Sequence, residues 1–186
     1  MLAYVFWHVA AADAGREDYE GRLEAFHAAL RAERPCGMGA TATFGLRAVP
    51  WLGDRGGYED WYLVDDFAAL GTLNEAAVSG TRRVPHDAAA ALAATGTAAI
   101  MGHVAGPRLA GPPGWAAWLA KPAGTAYPDW HAALAEAAGH GAAVWQRQMV
   151  LGPAPEFCVV APAAVALPAT PAHAWGLRTV VAPKQD

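Results

Sequence analysis

The chain has 186 residues, of which 54% are hydrophobic and 16% are charged, and its formal net charge is −4. This balance excludes an intrinsically disordered protein, which needs low hydrophobicity and high net charge. The largest basic cluster is the pair Arg82–Arg83, so we expect no nucleic-acid partner, because phosphate binding needs grouped Lys and Arg side chains.

Residues 1–15 are apolar but lack the basic residues that open a signal peptide. Elsewhere, Pro, Gly, His or a charged residue interrupts every apolar run of about 18 residues, the length that a membrane span requires. We therefore expect a first β-strand here, no membrane partner and a cytoplasmic protein. Strand alternation places Tyr4, Phe6 and His8 on one face of that strand.

An amphipathic helix follows, opened by acidic residues that suit the dipole at its first turn. Tyr19, Leu23, Phe26 and Leu30 recur at spacings of four, three and four, which makes one apolar stripe. His27 lies beside the stripe, and we interpret it as a boundary residue without a chemical role.

The rest of the first half alternates strands and helices. Asp66 precedes an apolar helical pattern and is interpreted as its N-cap. Aromatic and β-branched residues favour strands in the neighbouring segments. The predicted elements are a hairpin of strands at 39–50 and 58–66, a helix at 66–80, a short helix from His86 to about Thr95, and a strand at 98–107.

The second half repeats this pattern at an offset of about 111 residues, where Trp7 matches Trp118 and Leu23 matches Leu134. Its predicted elements are a hairpin at 141–153 and 155–162, a Pro-rich remnant of the second helix, and a last strand at 176–183. The order β-α-β-β-α-β in each half predicts the α+β class, with two tandem ferredoxin-like units and their sheets packed face to face. The expected units are 1–105, a Gly/Pro linker at 106–114, and 115–186 with a degenerate second helix.

This arrangement resembles the dimeric α/β-barrel superfamily, with the pair of units fused in one chain. The superfamily includes antibiotic-biosynthesis monooxygenases, heme-degrading monooxygenases, muconolactone isomerases and chlorite dismutases. The resemblance implies a cavity between the two sheets, and a histidine after the second helix that faces it, which His86 matches in position. It also implies an alternative in which the cofactor is heme and His86 or His173 is the axial ligand.

Strand alternation gives the residues that would line such a cavity. The candidate substrate-binding residues are Arg47, Tyr4, Phe6, Thr43, Trp61, Gln146 and Gln148. Arg47 would bind a carboxylate or phenolate, or form a salt bridge with Asp65, Asp66 or Glu59. The two glutamines would orient a carbonyl group or satisfy a buried polar network.

His86 and His8 are the candidate catalytic residues, because the pKa of histidine lies near neutrality. His86 has a structural alternative, as an exposed residue at the start of the short helix after Pro85. His8 has one as well, as a hydrogen-bonded residue at the end of a strand.

We therefore expect a small-molecule enzyme with a hydrophobic or aromatic substrate, of the cofactor-independent isomerase, cyclase or oxygenase type. The alternatives are a heme protein of the same superfamily and a non-catalytic small-ligand binding protein. No sequence pattern has metal-ligand spacing, so no metal is expected. The expected oligomeric state is a monomer or a homodimer.

Overall fold

The computed structural model describes residues 1–109 and 113–184. The strands are β1 Leu2–Ala10, β2 Met38–Val49, β3 Arg55–Val64, β4 Ala93–Ala105, β5 Trp115–Leu119, β6 Ala143–Arg147, β7 Phe157–Ala161, β8 His173–Gly176 and β9 Arg178–Val181. The α-helices are α1 Arg16–Ala32, α2 Phe67–Ala77, α3 Arg83–Ala90 and α4 Tyr127–Ala138, with short 3-10 turns at Pro50–Leu52 and Gly80–Arg82. None of these helices is long and apolar enough to cross a membrane.

The nine strands of the described residues belong to one sheet, in the order β8-β5-β7-β6-β4-β1-β3-β2-β9. Each neighbouring pair is antiparallel. β8 and β9 stand at opposite ends of this order, yet only Leu177 separates them in the chain. The terminal segment therefore pairs with β5 through its first part and with β2 through its second, which brings the sheet close to a closed barrel.

The predicted fold class, two ferredoxin-like units with their sheets packed face to face, is wrong. β4 pairs with β6 and β2 pairs with β9, so the two halves join edge to edge in one continuous sheet. The physical reason is that an edge strand carries unpaired N–H and C=O groups, which a further strand satisfies. The proposed linker at 106–114 includes residues 110–112, which lie outside the described residues. The division into two units therefore stays a prediction.

The interior of the barrel is a packed core. Its largest side chains are fully buried tryptophans, namely Trp7, Trp61, Trp118 and Trp145. Trp7 meets Trp118 edge-on with ring centroids 5.2 Å apart, and Trp61 meets Trp145 in the same way at 5.5 Å. Small barrels have an interior that side chains can fill completely, and tryptophan is the largest side chain. The ligand cavity that we expected between the two halves is therefore replaced by packed aromatic rings.

One carboxyl group lies inside this core. Glu59 is fully buried, and its two oxygens accept hydrogen bonds from the indole N–H groups of Trp7 at 2.7 Å and Trp61 at 2.6 Å. Burial raises the pKa of Glu59 to about 7, and the nearby charge of Asp60 also raises it, against the lowering effect of the two indole hydrogen bonds.

Helices α1, α2 and α3 cover the outer face of the strands of the first half. The predicted stripe of α1 is confirmed, since Tyr19, Leu23 and Leu30 are among its buried residues. The predicted N-cap is confirmed as well, because the Asp66 carboxylate accepts a hydrogen bond of 2.9 Å from the backbone N–H of Ala69. The short helix was predicted to start at His86, but α3 starts three residues earlier and ends at Ala90, because β4 already begins at Ala93.

Candidate functional site

A cavity of about 640 Å³ lies outside the barrel, between the outer face of the first-half strands and helices α1, α2 and α3. This volume is within the usual range for a small-molecule site, roughly 300–1,000 Å³. Most of its wall is apolar, formed mainly by Phe6, Leu23, Phe26, Phe67, Leu70, Leu73, Ala77, Val78 and Ile100. The wall therefore suits an apolar or aromatic molecule.

One part of the lining is polar, formed by Tyr4, His8, Tyr19, Asp60 and Tyr62. Strand pairing brings most of these residues together. In the β1–β3 register, Tyr4 lies opposite Tyr62 and Phe6 lies opposite Asp60, so their side chains share the outer face. Tyr19 reaches the same place from the buried stripe of α1.

Tyr19, His8 and Asp60 form a relay of consecutive contacts. The Tyr19 hydroxyl is 2.6 Å from His8 Nδ1, and His8 Nε2 is 3.2 Å from Asp60 Oδ2. The second contact has an ion-pair distance but not the alignment of a hydrogen bond, so Nε2 lacks a fully aligned acceptor. A carboxylate beside Nε2 favours the proton on that nitrogen, which leaves Nδ1 to accept the Tyr19 hydroxyl.

Asp60 is 2% exposed and is held from several sides. Its Oδ1 accepts a hydrogen bond from the Thr43 hydroxyl at 2.7 Å, and its Oδ2 accepts one from the Tyr62 hydroxyl at 3.0 Å. Burial alone would raise the pKa of Asp60, but the charges and hydrogen bonds of the His8 and His27 imidazoles lower it far below its usual range. Asp60 is therefore an ionised carboxylate beneath the cavity.

His27 extends this network behind the cavity. Its Nε2 is 3.0 Å from the Thr43 hydroxyl, its Nδ1 is 2.9 Å from the Thr41 hydroxyl, and the residue is completely buried. The sequence interpretation of His27 as a boundary residue is wrong, since the ring contacts the same threonine that binds Asp60. The apolar neighbours of His27 in α1 concealed this, because a stripe pattern does not show which strand residue a side chain meets.

The tyrosine hydroxyls around Asp60 are hydrogen-bond donors. Burial, followed by the negative charge of Asp60, raises the pKa of Tyr4, Tyr19 and Tyr62 above the usual tyrosine value. These three phenols therefore keep their protons at neutral pH.

Four residues selected from the sequence line this cavity, namely Tyr4, Phe6, His8 and His86. The predicted alternation along β1 is confirmed, with Trp7 in the core and His8 on the outer face. His86 lies at the edge of the cavity on α3, where its ring meets Phe26 edge-on at 5.4 Å. Its Nδ1 is 3.0 Å from a carboxylate oxygen of Asp87, and its side chain is 32% exposed.

The other selected residues do not line this cavity. Trp61 lies in the barrel core, Arg47 is exposed, and Thr43 is buried beneath the lining. Gln146 is in the second half, hydrogen-bonded to His131 at 3.1 Å and to Glu156 at 2.9 Å. Gln148 follows β6, and its side chain covers Gly102. The common reason is that the sequence placed the cavity inside the barrel, whereas it lies under the helices of the first half.

Only one of the two proposed heme ligands, His86, lines the cavity, and the heme alternative stays a prediction. His173, one of the two proposed ligands, lies on β8 between Trp51 and Trp175, with ring centroids 5.9 and 6.3 Å away, and does not line the cavity. Among the described residues, no Lys or Arg lines the cavity to pair with heme propionates. Within residues 1–109 and 113–184, no group of three or more His, Cys, Asp and Glu side chains is placed to hold a metal ion.

The cavity lining also includes four polar residues that were not among the predicted site residues, namely Tyr19, Asp60, Tyr62 and Asn74. One available signal was the stretch "YEDWYLVDD", which puts two carboxyl groups side by side in the middle of an otherwise apolar strand. Alternation sends adjacent strand residues to opposite faces, so Glu59 and Asp60 had to be buried on different sides. A buried carboxylate needs partners, which would have directed attention to the residues around each one.

Comparison with models of known protein families and with curated proteins gives no match for this chain.

Proposed function

We propose that this protein is a small-molecule enzyme that moves protons on an uncharged, hydrophobic or aromatic ligand in the outer cavity. The observation that supports this most directly is the Tyr19–His8–Asp60 relay at the polar part of an otherwise apolar cavity. A base whose orientation is fixed by a carboxylate is a recurring arrangement in acid–base catalysis.

The relay would act through the Tyr19 oxygen. An acidic O–H or C–H proton of the ligand passes to this oxygen, while the Tyr19 hydroxyl proton moves to His8 Nδ1 over 2.6 Å. Asp60 stabilises the imidazolium that forms. Tyr19 then returns a proton to a different atom of the ligand and regains its own from His8. This completes an isomerisation or ends a cyclisation, and it restores the relay to its starting state. These reactions need no electron acceptor, so they suit this set of residues best among the classes that we expected.

The charges of the site favour an uncharged ligand. Within the part of the chain that the structure describes, no Lys or Arg lines the cavity, and Asp60 is held in its ionised form. A ligand carboxylate or phosphate would lose its hydration without gaining a cationic partner, which is strongly unfavourable in an apolar cavity. A carbonyl or hydroxyl group can instead accept from the Tyr4 hydroxyl, which makes no hydrogen bond to another described residue.

Ligand binding without turnover is the second candidate function. One observation favours it: the hydrogen bonds around Asp60 join mainly residues of the network itself, as in a structural polar network. These residues are Thr43, Tyr62, His27 and Asp60. In that case the cavity would recognise a ligand without exchanging protons with it.

The test uses 2-tetralone, an uncharged bicyclic ketone with exchangeable protons beside its carbonyl group. The wild-type protein in D₂O should accelerate exchange of these protons above the buffer rate, followed by ¹H NMR. Tyr19→Phe and His8→Gln should each lower the rate by roughly a hundredfold or more, while their folds are checked by near-UV circular dichroism. The matched control is His140→Gln, an exposed histidine of the second half, which should leave the rate unchanged.

Binding of 2-tetralone, monitored by calorimetry, separates the two candidates. Binding without accelerated exchange would support the carrier function and contradict the enzyme. Exchange that survives in both His8→Gln and Tyr19→Phe would contradict the relay.

A further inference from the structure

The imidazole of His8 stacks with two aromatic rings. The Phe6 ring lies at a centroid distance of 5.1 Å with an interplanar angle of 21°, and the Tyr58 ring lies at 5.4 Å and 14°. Tyr58 is the direct partner of His8 in the β1–β3 register, so this stacking is built into the strand pairing. Two nearly parallel neighbours leave the imidazole little freedom to rotate.

Tyr58 also contacts the other end of the proton path. Its ring meets the Tyr19 ring edge-on, with centroids 5.2 Å apart and an interplanar angle of 71°. One residue therefore packs against both His8 and Tyr19. Tyr58 is not among the residues that line the cavity, so it contacts the relay from behind and does not face the ligand.

The second half of the chain anchors Tyr58. The Tyr58 hydroxyl donates to Glu20 Oε1 at 3.1 Å, and burial raises the pKa of Tyr58, which keeps this hydroxyl protonated. Arg178 of β9 donates to both oxygens of Glu20, at 2.5 and 3.2 Å. Such a two-point pair has a defined geometry, unlike a single flexible contact.

Gly45 provides the space for this anchor. The Arg178 guanidinium lies directly over Gly45 of β2, where a Cβ atom would overlap it. The chain Arg178–Glu20–Tyr58 thus runs from the last strand, across α1, to the ring that stacks on His8. A site whose lining belongs to the first half is held in place by a residue from the second.

We propose that Tyr58, anchored by Glu20 and Arg178, is a positioning residue that keeps His8 and Tyr19 in the geometry of proton transfer. This inference rests on the proposed function. Its structural part, the fixed contact between His8 and Tyr19, can be measured whether or not the protein turns a substrate over.

The experiment compares Tyr58→Leu, which removes the stacked ring, with Tyr58→Phe, which keeps the ring and loses only the hydroxyl. Arg178→Met removes the anchor. Arg22→Gln is the control, because Arg22 pairs with Asp18 on the exposed side of α1, the helix that carries Glu20. Two quantities are measured, namely kcat and KM for 2-tetralone exchange and the nuclear Overhauser effect between the Tyr19 and His8 ring protons. The ring-proton signals of His8 are identified as those that disappear from the spectrum of His8→Gln.

Tyr58→Leu should lower kcat on the order of tenfold to a hundredfold with KM unchanged, because the relay is misplaced and the cavity wall is intact. The Tyr19–His8 Overhauser effect should weaken in parallel. Tyr58→Phe should restore most of both quantities, Arg178→Met should give intermediate values, and Arg22→Gln should match the wild type. If Tyr58→Leu does not fold, Arg178→Met carries the test, since its side chain is half exposed.

Unchanged kcat and an unchanged Overhauser effect in Tyr58→Leu and Arg178→Met would overturn the positioning role. A rise in KM at constant kcat would also overturn it, because it would make Tyr58 part of the binding surface. If the wild type shows no exchange, the proposed enzyme fails, and the Overhauser effect alone then decides whether Tyr58 positions the two rings.

Discussion

Glu59 should make the stability of this protein decrease as the pH rises toward neutrality. Its pKa is about 7 in the folded protein against an ordinary value of 4.5. The folded state therefore prefers the protonated carboxyl, so this stabilising contribution is complete below about pH 4.5 and is lost as the pH rises through about 7. At about 1.4 kcal/mol for each of the 2.5 pH units between the two values, the complete loss is about 3.5 kcal/mol.

Glu59→Gln removes this titration while nearly preserving the shape of the side chain. The amide oxygen can still accept from one indole, but the amide NH₂ then faces the other indole N–H, which costs about 1–3 kcal/mol at every pH. The difference in unfolding free energy between wild type and variant should thus change by about 3 kcal/mol from pH 4.5 to 7.5. The wild type should lose stability relative to the variant over this range.

Urea unfolding followed by tryptophan fluorescence at four or more pH values measures this difference. All other ionisable groups are the same in both proteins, so their contributions cancel to a first approximation. Glu136→Gln, an exposed change on α4, is the control and should follow the wild type at every pH. A difference between wild type and Glu59→Gln that stays constant across the range would refute the reasoning that burial sets the protonation of Glu59.

Two further predictions concern the cavity. Asp60→Asn should destabilise the protein at pH 7 by about 1–3 kcal/mol, because the Thr43 and Tyr62 hydroxyls and the neighbouring His8 lose a carboxylate partner. Since the pKa of Asp60 is lowered, this deficit should shrink as urea unfolding is repeated below about pH 4, and a deficit independent of pH would contradict the assignment. His86→Ala should change stability by less than about 1 kcal/mol. It should also leave 2-tetralone exchange within a few-fold of wild type, because His86 is not part of the relay, whereas a hundredfold loss of exchange would make His86 the proton carrier in its place.

Local features of the fold could be predicted from the sequence. The stripe of α1 and the Asp66 cap are encoded within a few residues, and the structure confirms both. Alternation along β1 also separated Trp7 from His8 correctly. These features depend on contacts between residues close in the chain, for which the helical and strand periods are sufficient.

The chemistry of the cavity could be predicted only in part. His8 and His86 were selected as residues able to carry a proton, and both line the cavity. Their partners could not be found in the same way. Tyr19 matched an ordinary stripe residue, and Asp60 stood in a strand whose inward face was undetermined. A hydrogen bond such as Tyr19–His8 joins two elements whose relative placement no local pattern specifies.

The sequence by itself determined most elements of the first half and which residues of β1 share a face, because these follow from local backbone geometry. It predicted a helix remnant where the structure has strand β8. Only the tertiary structure decided that β4 pairs with β6 and that β9 returns to β2, because edge pairing satisfies backbone groups that are the same in every sequence. That pairing fills the barrel with tryptophan and leaves the space for a ligand under the helices. It also brings Arg178 into contact with Glu20, 158 positions away in the chain, a separation over which helical and strand periods predict no contact.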